Sequence, residues 1–343
     1  MTLSQELLAG SRLALARVIT QIENGTEAGR IALDELFPYT GRAHLIGVTG
    51  APGTGKSSLV NQLAIAFRQS EDGEAGRVGI VAVDPSSPFS GGAILGDRVR
   101  MRDLAGDSGV FIRSMASRGS VGGLAVATSG VVQALDAAGF EIILIETVGA
   151  GQAEVDIARL AHTTLVVEAP GLGDDIQALK AGILEIADIL VINKADRPGV
   201  ESTERALLSM LQLAYPAKQI LRDHSSKPGH RWIEAESPPS NPANSSEAEL
   251  WVTPVVKTIA VEGQGVSELR STIELHRRFL AMTGEREQRE RRRLHAEVDL
   301  LLRDTLLKRW MAGISDGQYE QILDLLVRRE LSPWRAVQLL IEN

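Results

Sequence analysis

The stretch Gly50-Ala51-Pro52-Gly53-Thr54-Gly55-Lys56-Ser57 has the spacing of a polyphosphate cradle. Its glycines let successive backbone N–H groups turn inward around phosphate oxygens, Lys56 reaches the β and γ oxygens, and the Ser57 hydroxyl can ligate Mg²⁺. Pro52 stiffens the loop, and Ser58 completes the phosphate-binding set. Leu45, Ile46 and Val48 precede it as a strand should; Leu59, Val60, Leu63 and Phe67 follow at helical spacing. The pattern predicts a P-loop that binds a nucleoside triphosphate.

Asn193-Lys194-Ala195-Asp196 closes the apolar run Ile189-Leu-Val-Ile. At the end of a strand, the Asp196 carboxylate can accept hydrogen bonds from the N1–H and exocyclic amino group of guanine, which adenine cannot supply. Asn193 can tie this loop to the P-loop, the Lys194 stem can cover the base, and Thr258 and Ala260 are candidate base contacts. The expected ligand is therefore GTP or GDP.

Glu146, at the end of the strand Glu141-Ile-Ile-Leu-Ile, and Gly149 suit a magnesium-side acid followed by a glycine that senses the γ-phosphate. Where Ras-type GTPases carry a water-orienting glutamine this chain has Ala150, with Gln152 as the nearest substitute, so slow intrinsic hydrolysis is expected. Asp84 ends another strand, and Asp97 lies in a glycine-rich loop with Arg98, Arg100 and Arg102. One carboxylate could hold Mg²⁺ through water while the other polarises the attacking water; the arginines either serve the transition state or solvate the loop.

The elements that must position these residues follow from periodicity. Strands are predicted at 43–49, 78–83, 109–113, 141–145, 163–168, 187–192 and 252–258, and helices at 56–68, 121–138, 153–161, 175–186, 200–214 and 265–281. This alternation predicts an α/β fold, a P-loop NTPase with a doubly wound, mainly parallel sheet whose ligand sits at the carboxyl ends of the strands. Residues 1–40 read as a helical N-terminal arm: Thr2 and Gln5 form a capping box, Leu15, Val18, Ile19 and Ile22 share one face, and Ile31, Leu33 and Leu36 mark a second helix. The GTPase domain then spans 41–282, interrupted by a proline-rich polar insertion at 222–249. Residues 283–343 form a helical C-terminal extension. The arginines of its charged run, Glu285 to Arg293, are explained by a solvated helix face, while the apolar faces beyond them suit a subunit contact.

Composition narrows the class. A chain of 343 residues with 44% hydrophobic content supports a large core, and a net charge of −8 with 4% aromatics argues against nucleic-acid binding. Without cysteine there is no disulfide, thiolate zinc site or cysteine nucleophile. The first residues lack a signal-peptide pattern and no apolar run is long enough to span a bilayer, so a soluble cytoplasmic protein with no membrane contact is expected.

The P-loop together with Val83-Asp-Pro-Ser-Ser-Pro88, Gly91-Gly-Ala-Ile-Leu-Gly-Asp-Arg98, Glu146-Thr-Val-Gly-Ala-Gly-Gln152 and Asn193-Lys-Ala-Asp196 resembles the MeaB/ArgK family of GTPases over nearly the whole chain. The human relative in that family is the methylmalonic aciduria type A protein. The resemblance implies a homodimeric G-protein chaperone for an adenosylcobalamin-dependent acyl-CoA mutase, such as methylmalonyl-, isobutyryl- or hydroxyisobutyryl-CoA mutase. It would couple GTP hydrolysis to delivery of cofactor from an adenosyltransferase and to removal of damaged cofactor. It further implies that Lys56 and Ser57 bind phosphate and Mg²⁺, that Asp84, Asp97 and Glu146 form the metal and hydrolysis site, and that Ala169 to Lys180 is an additional switch, with Asp174, Asp175 and a signalling Lys180. The insertion at 222–249 is longer and more polar than the family pattern.

Three other readings compete. A kinase or ATPase of amino-acid transport would have no use for Asp196. A nickel metallochaperone GTPase needs a His or Cys cluster, which six scattered histidines and no cysteine do not offer. A structural or signalling GTPase without a cofactor role is not excluded by the isolated motifs.

Overall fold

The computed structural model describes residues 1–69, 76–84, 104, 106–116, 123–147, 153–171, 186–214, 250–313 and 316–342. Asp97 with its neighbouring arginines, Gly149, Ala150, Gln152, Asp174, Asp175, Lys180 and the insertion 222–249 lie outside the described residues. By packing, the chain divides into two units, Met1–Arg293 and Leu294–Asn343.

Among the described residues the first unit is built on seven strands: β1 His44–Thr49, β2 Val78–Asp84, β3 Val110–Ala116, β4 Ile142–Thr147, β5 Thr163–Glu168, β6 Ile189–Asn193 and β7 Val255–Thr258. They form one sheet in the order β3-β2-β4-β1-β5-β6-β7. Every pairing is parallel, a stricter outcome than the mainly parallel sheet expected. Parallel neighbours need crossover connections, and these cover both faces. Accordingly β1, β4, β5 and β6 are buried at every position.

The helices of this unit are α1 Leu3–Leu8, α2 Arg12–Glu23, α3 Glu27–Leu36, α4 Lys56–Arg68, α5 Gly123–Ala137, α6 Ala153–Leu160, α7 Val200–Ala214 and α8 Val266–Thr283, followed by the first turns of α9 Glu285–Gly313. Strand residues alternate between the two faces of the sheet. Ile46, Val48, Leu144 and Leu165 pack with Leu59 and Leu63 of α4 and Leu269 and Ile273 of α8. On the opposite face Leu45, Ile143 and Ile145 pack with Val131 and Leu135 of α5 and with the N-terminal arm.

The arm is three helices. Thr2 Oγ1 accepts from the Gln5 N–H at 3.3 Å while Gln5 Oε1 accepts from the Thr2 N–H at 3.0 Å, which is the capping box read from the sequence. Ser11 restarts the helix, its hydroxyl accepting from the Ala14 N–H. Leu15, Val18, Ile19 and Ile22 are all buried. The second helix read through Ile31, Leu33 and Leu36 is present, with Ile31 itself 51% exposed. In α3 the buried stripe runs through Gly29, Ala32 and Leu36, a spacing of three and four that leaves Ile31 off the core face.

The charged run at 285–293 also corrects its sequence reading. Helical spacing puts Arg286, Arg289, Glu290 and Arg293 on one stripe facing the amino ends of the strands, while Glu287, Gln288, Arg291 and Arg292 remain exposed. Arg286 donates to the Gly41 carbonyl at 3.1 Å. Arg289 grips both Asp188 carboxylate oxygens at 2.8 Å and also donates to the His162 carbonyl. Glu290 lies 3.4 Å from His162 Nε2 and pairs with Arg293.

Beneath this stripe lies a buried chain of polar groups. Thr163 Oγ1 sits 2.8 Å from both His44 Nε2 and His276 Nδ1, and His276 Nε2 is 3.4 Å from Asp188. Burial opposes ionisation of Asp188, but His276 and Arg289 outweigh it and hold the carboxyl well below the usual range. Burial likewise opposes ionisation of Glu290, yet His162 and Arg293 bring it down to about 2. His44 is pushed well below its ordinary value by burial first, then by His162, Arg277, His276 and Arg286. His162 is lowered by burial, which outweighs the attraction of Glu290.

The second unit comprises the remainder of α9 with α10 Asp316–Val327 and α11 Pro333–Glu342. Ile322, Ala336 and Leu340 form its core with Trp310, Tyr319, Leu326 and Leu339 packed against them, and the Trp310 indole N–H donates to the Leu340 carbonyl. Ser332 caps α11 through the Arg335 N–H. Val298, Leu302 and Leu306 of α9 and Trp334, Val337 and Ile341 of α11 are exposed at helical spacing.

Candidate nucleotide-binding site

The P-loop leaves β1 at Thr49 and enters α4 at Lys56. Gly50 has φ +133°, and a Cβ there would lie 2.1 Å from the Val167 carbonyl oxygen, so only glycine lets the loop cross the end of β5. Gly55 stands before α4 at φ +93° with no side-chain cap. The first N–H groups of α4 therefore remain available to an anion, favoured further by the helix dipole. A Cβ on Gly55 would meet Asn193 Nδ2 at 2.4 Å, so this glycine also admits the next element of the site.

Asn193 is the hub. Its amide Nδ2 donates to the Thr54 carbonyl at 2.8 Å, while its Oδ1 accepts from Thr258 Oγ1 at 3.1 Å and from the Ala260 N–H at 3.0 Å. One buried side chain thus joins the P-loop, β6 and the loop after β7. Thr258 and Ala260 hold Asn193 directly, a role beyond the base contact read from the sequence. Lys194 follows with φ +58°, a left-handed conformation that costs a non-glycine residue on the order of 1 kcal/mol. That turn lets the Ala195 N–H reach the Thr258 carbonyl, extends Lys194 Nζ to the Gly53 carbonyl at 2.6 Å, and leaves Asp196 exposed beyond the P-loop.

At the phosphate end, Lys56 is buried, and its Nζ donates to the carbonyls of Gly50 and Ala51 at 2.8 and 2.9 Å. Thr54 braces the same turn through the Ala51 carbonyl. Pro52, Gly53 and Ser58 are exposed on the rim. Ser57 Oγ donates to Glu146 Oε1 at 2.5 Å. A hydroxyl and a carboxylate oxygen this close form a hard-oxygen donor pair of the kind Mg²⁺ takes, so the residues present fit that ion. Asp84 ends β2 at the same edge of the sheet.

Three residues at this edge escaped the sequence reading. Thr49 and Thr147 are fully buried at the ends of β1 and β4, with Thr147 Oγ1 donating to Thr49 Oγ1 at 3.2 Å. Glu168, which ends β5, is a carboxylate only 2% exposed. Each is a polar side chain terminating an apolar strand, and that position is the signal that could have found them.

Comparison with known proteins places this geometry. The family model described as methylmalonyl Co-A mutase-associated GTPase MeaB matches residues 15–315. The chain belongs to the MeaB family of GTPases. A protein of Pyrococcus horikoshii named as a GTPase is 40% identical to this MeaB-family chain over 341 residues, covering 99% of it and 97% of the relative. The mouse protein named methylmalonic aciduria type A homolog, mitochondrial, is 27% identical over 351 residues, covering 98% and 77%. A solved structure titled LAO/AO transport system kinase shares the fold, with a TM-score of 0.64 at 24% identity, covering 99% of this chain and 95% of that one. Among the described residues of this MeaB-family chain, no helix is long and apolar enough to cross a membrane.

Proposed function

We propose that this MeaB-family protein is a Mg²⁺-dependent G-protein chaperone whose nucleotide state gates adenosylcobalamin delivery to a B12-dependent acyl-CoA mutase, and the protection or reactivation of that enzyme. The observation that carries the nucleotide half of this reading is Asn193, which binds the loop bearing Asp196 to the P-loop and to the end of β7. The mutase half is supported by the description of the family and by the named mouse relative.

In this reading Lys56 exchanges its two carbonyl partners for phosphate oxygens, and the uncapped start of α4 donates N–H groups to the same phosphates. Asp196 accepts from guanine while Lys194 lies along the base. Ser57 and Glu146 would hold Mg²⁺, which when bound neutralises charge on the phosphoryl oxygens. Asp84 and Asp97 are assigned with Glu146 to the metal and hydrolysis site and Gln152 to hydrolysis, Gly149 to sensing the γ-phosphate, and Asp174, Asp175 and Lys180 to signalling that state to the client. Ala150 accounts for slow turnover without a partner. The exposed apolar stripes of α9 and α11 are assigned to a homodimer contact, with a domain division into residues 1–40, 41–282 and 283–343. Cofactor would come from an adenosyltransferase.

The test is steady-state GTP turnover, with and without purified methylmalonyl-, isobutyryl- and hydroxyisobutyryl-CoA mutases, alongside co-elution. One of these enzymes is expected to form a complex and raise turnover. Neither effect with any of them would remove the client assignment.

A further inference from the structure

The last two residues of β4 face opposite sides of the sheet, as successive strand residues must. Glu146 shares the face of Leu144, the side covered by α4, and takes its hydrogen bond from Ser57 there. Thr147 shares the face of Ile145 and turns its hydroxyl to Thr49. Register places the two threonines level, since Val48 pairs with Glu146 one residue earlier. Both are fully buried.

The positions of these two contacts in the chain matter more than either contact alone. Thr49 is the residue immediately before the P-loop begins at Gly50, and Ser57 is the second residue of the helix into which the loop runs. Consecutive β4 residues therefore hold the P-loop from both ends, one at its entrance and one at its exit. A hydroxyl pair that merely satisfied buried polar groups could sit at any level of these strands.

Resting on the site assignment above, we propose that Thr147 is a positioning residue for GTP hydrolysis. Its hydroxyl, through Thr49, fixes the entrance of the P-loop against the carboxyl end of β4, while the Ser57–Glu146 contact fixes the exit. The hydroxyl touches no reacting atom. Its removal loosens the P-loop entrance from β4 during turnover and leaves the donors that bind nucleotide in place.

The test compares Thr147→Val, Thr147→Ser, Thr49→Val and the Thr49→Val/Thr147→Val double variant in the full chain, reading kcat and KM for GTP separately. Loss of one buried hydrogen bond is expected to lower kcat about fivefold in Thr147→Val. KM should stay within about twofold, and Thr147→Ser should restore the wild-type rate. The double variant should be no slower than the slower single one, because both act through one bond. Thr49→Val approaches the bond from β1, so the proposal stays testable if Thr147→Val fails to fold. Wild-type kcat in both valine variants, failure of Thr147→Ser to restore the rate, or losses that multiply in the double variant would overturn it. Glu146→Gln separates this from the underlying site: normal Mg²⁺-dependent turnover in that variant would remove the site assignment itself, whereas an impaired Glu146→Gln beside unaffected threonine variants would remove only the positioning role.

Discussion

Replacing Asp188 by Asn should destabilise the first unit far more than removing any surface charge. Asp188 begins the polar floor of the sheet: it accepts from the Thr164 N–H, holds Arg289 through two 2.8 Å contacts, and faces His276. Its side chain is 10% exposed and that of Arg289 24%. Breaking a buried pair by removing one partner costs roughly 3–5 kcal/mol, because the other charge is left desolvated. The partial exposure of Arg289 places this case near the lower bound, at about 3 kcal/mol. The Asp304–Lys308 pair provides the control, with side chains 41% and 66% exposed; Asp304→Asn should cost less than about 1 kcal/mol. Urea unfolding of both variants gives the comparison, and hydrogen exchange across 285–293 should report faster opening in Asp188→Asn alone. Adding Arg289→Met should recover about 2 kcal/mol of the summed single losses, since no unmatched charge then remains. An Asp188→Asn cost no larger than that of Asp304→Asn would refute the reasoning.

The same floor makes stability fall in acid. His44 and His162 bind protons less readily folded than unfolded, so stability is lost as pH drops below 6.5, with a limiting slope of about 1.4 kcal/mol per pH unit for each histidine. Glu290, at about 2 folded against 4.5 unfolded, adds a loss that begins near pH 4.5. Urea midpoints that stay flat from pH 7 to 5 would contradict this. At the base pocket, Asp196→Asn should move nucleotide preference from guanosine toward xanthosine triphosphate, measured by competition binding; an unchanged preference would sink the assignment of Asp196. Lys56→Ala should abolish nucleotide binding or turnover while the circular dichroism of the fold survives, and normal kinetics would refute the phosphate site. Gly50→Ala should fail at the same step for a steric reason, its Cβ falling 2.1 Å from the Val167 carbonyl oxygen.

What the sequence determined by itself is local. Seven strands and the P-loop helix were legible because apolar runs bounded by turn residues have few alternatives, and the loop between β1 and α4 and the turn after β6 were legible because each is contiguous: Gly50 to Ser57, and Asn193 to Asp196. The capping box at Thr2 is equally local, its partners lying three residues apart. Only the tertiary structure decided what those pieces do to one another. The tie from Asn193 to the P-loop was read from the sequence, but nothing in the spacing shows that the same amide side chain also takes Thr258 and the Ala260 N–H after β7. Thr49 and Thr147 are 98 residues apart and look like ordinary strand ends until parallel pairing brings them level. The arginines of 285–293 read as solvated because their partners, Asp188 and His162, lie about a hundred residues upstream and meet them only where α9 crosses the sheet floor. Periodicity reports which residues are buried, whereas the partner of a buried polar group depends on strand order, and strand order is set by how the crossovers pack.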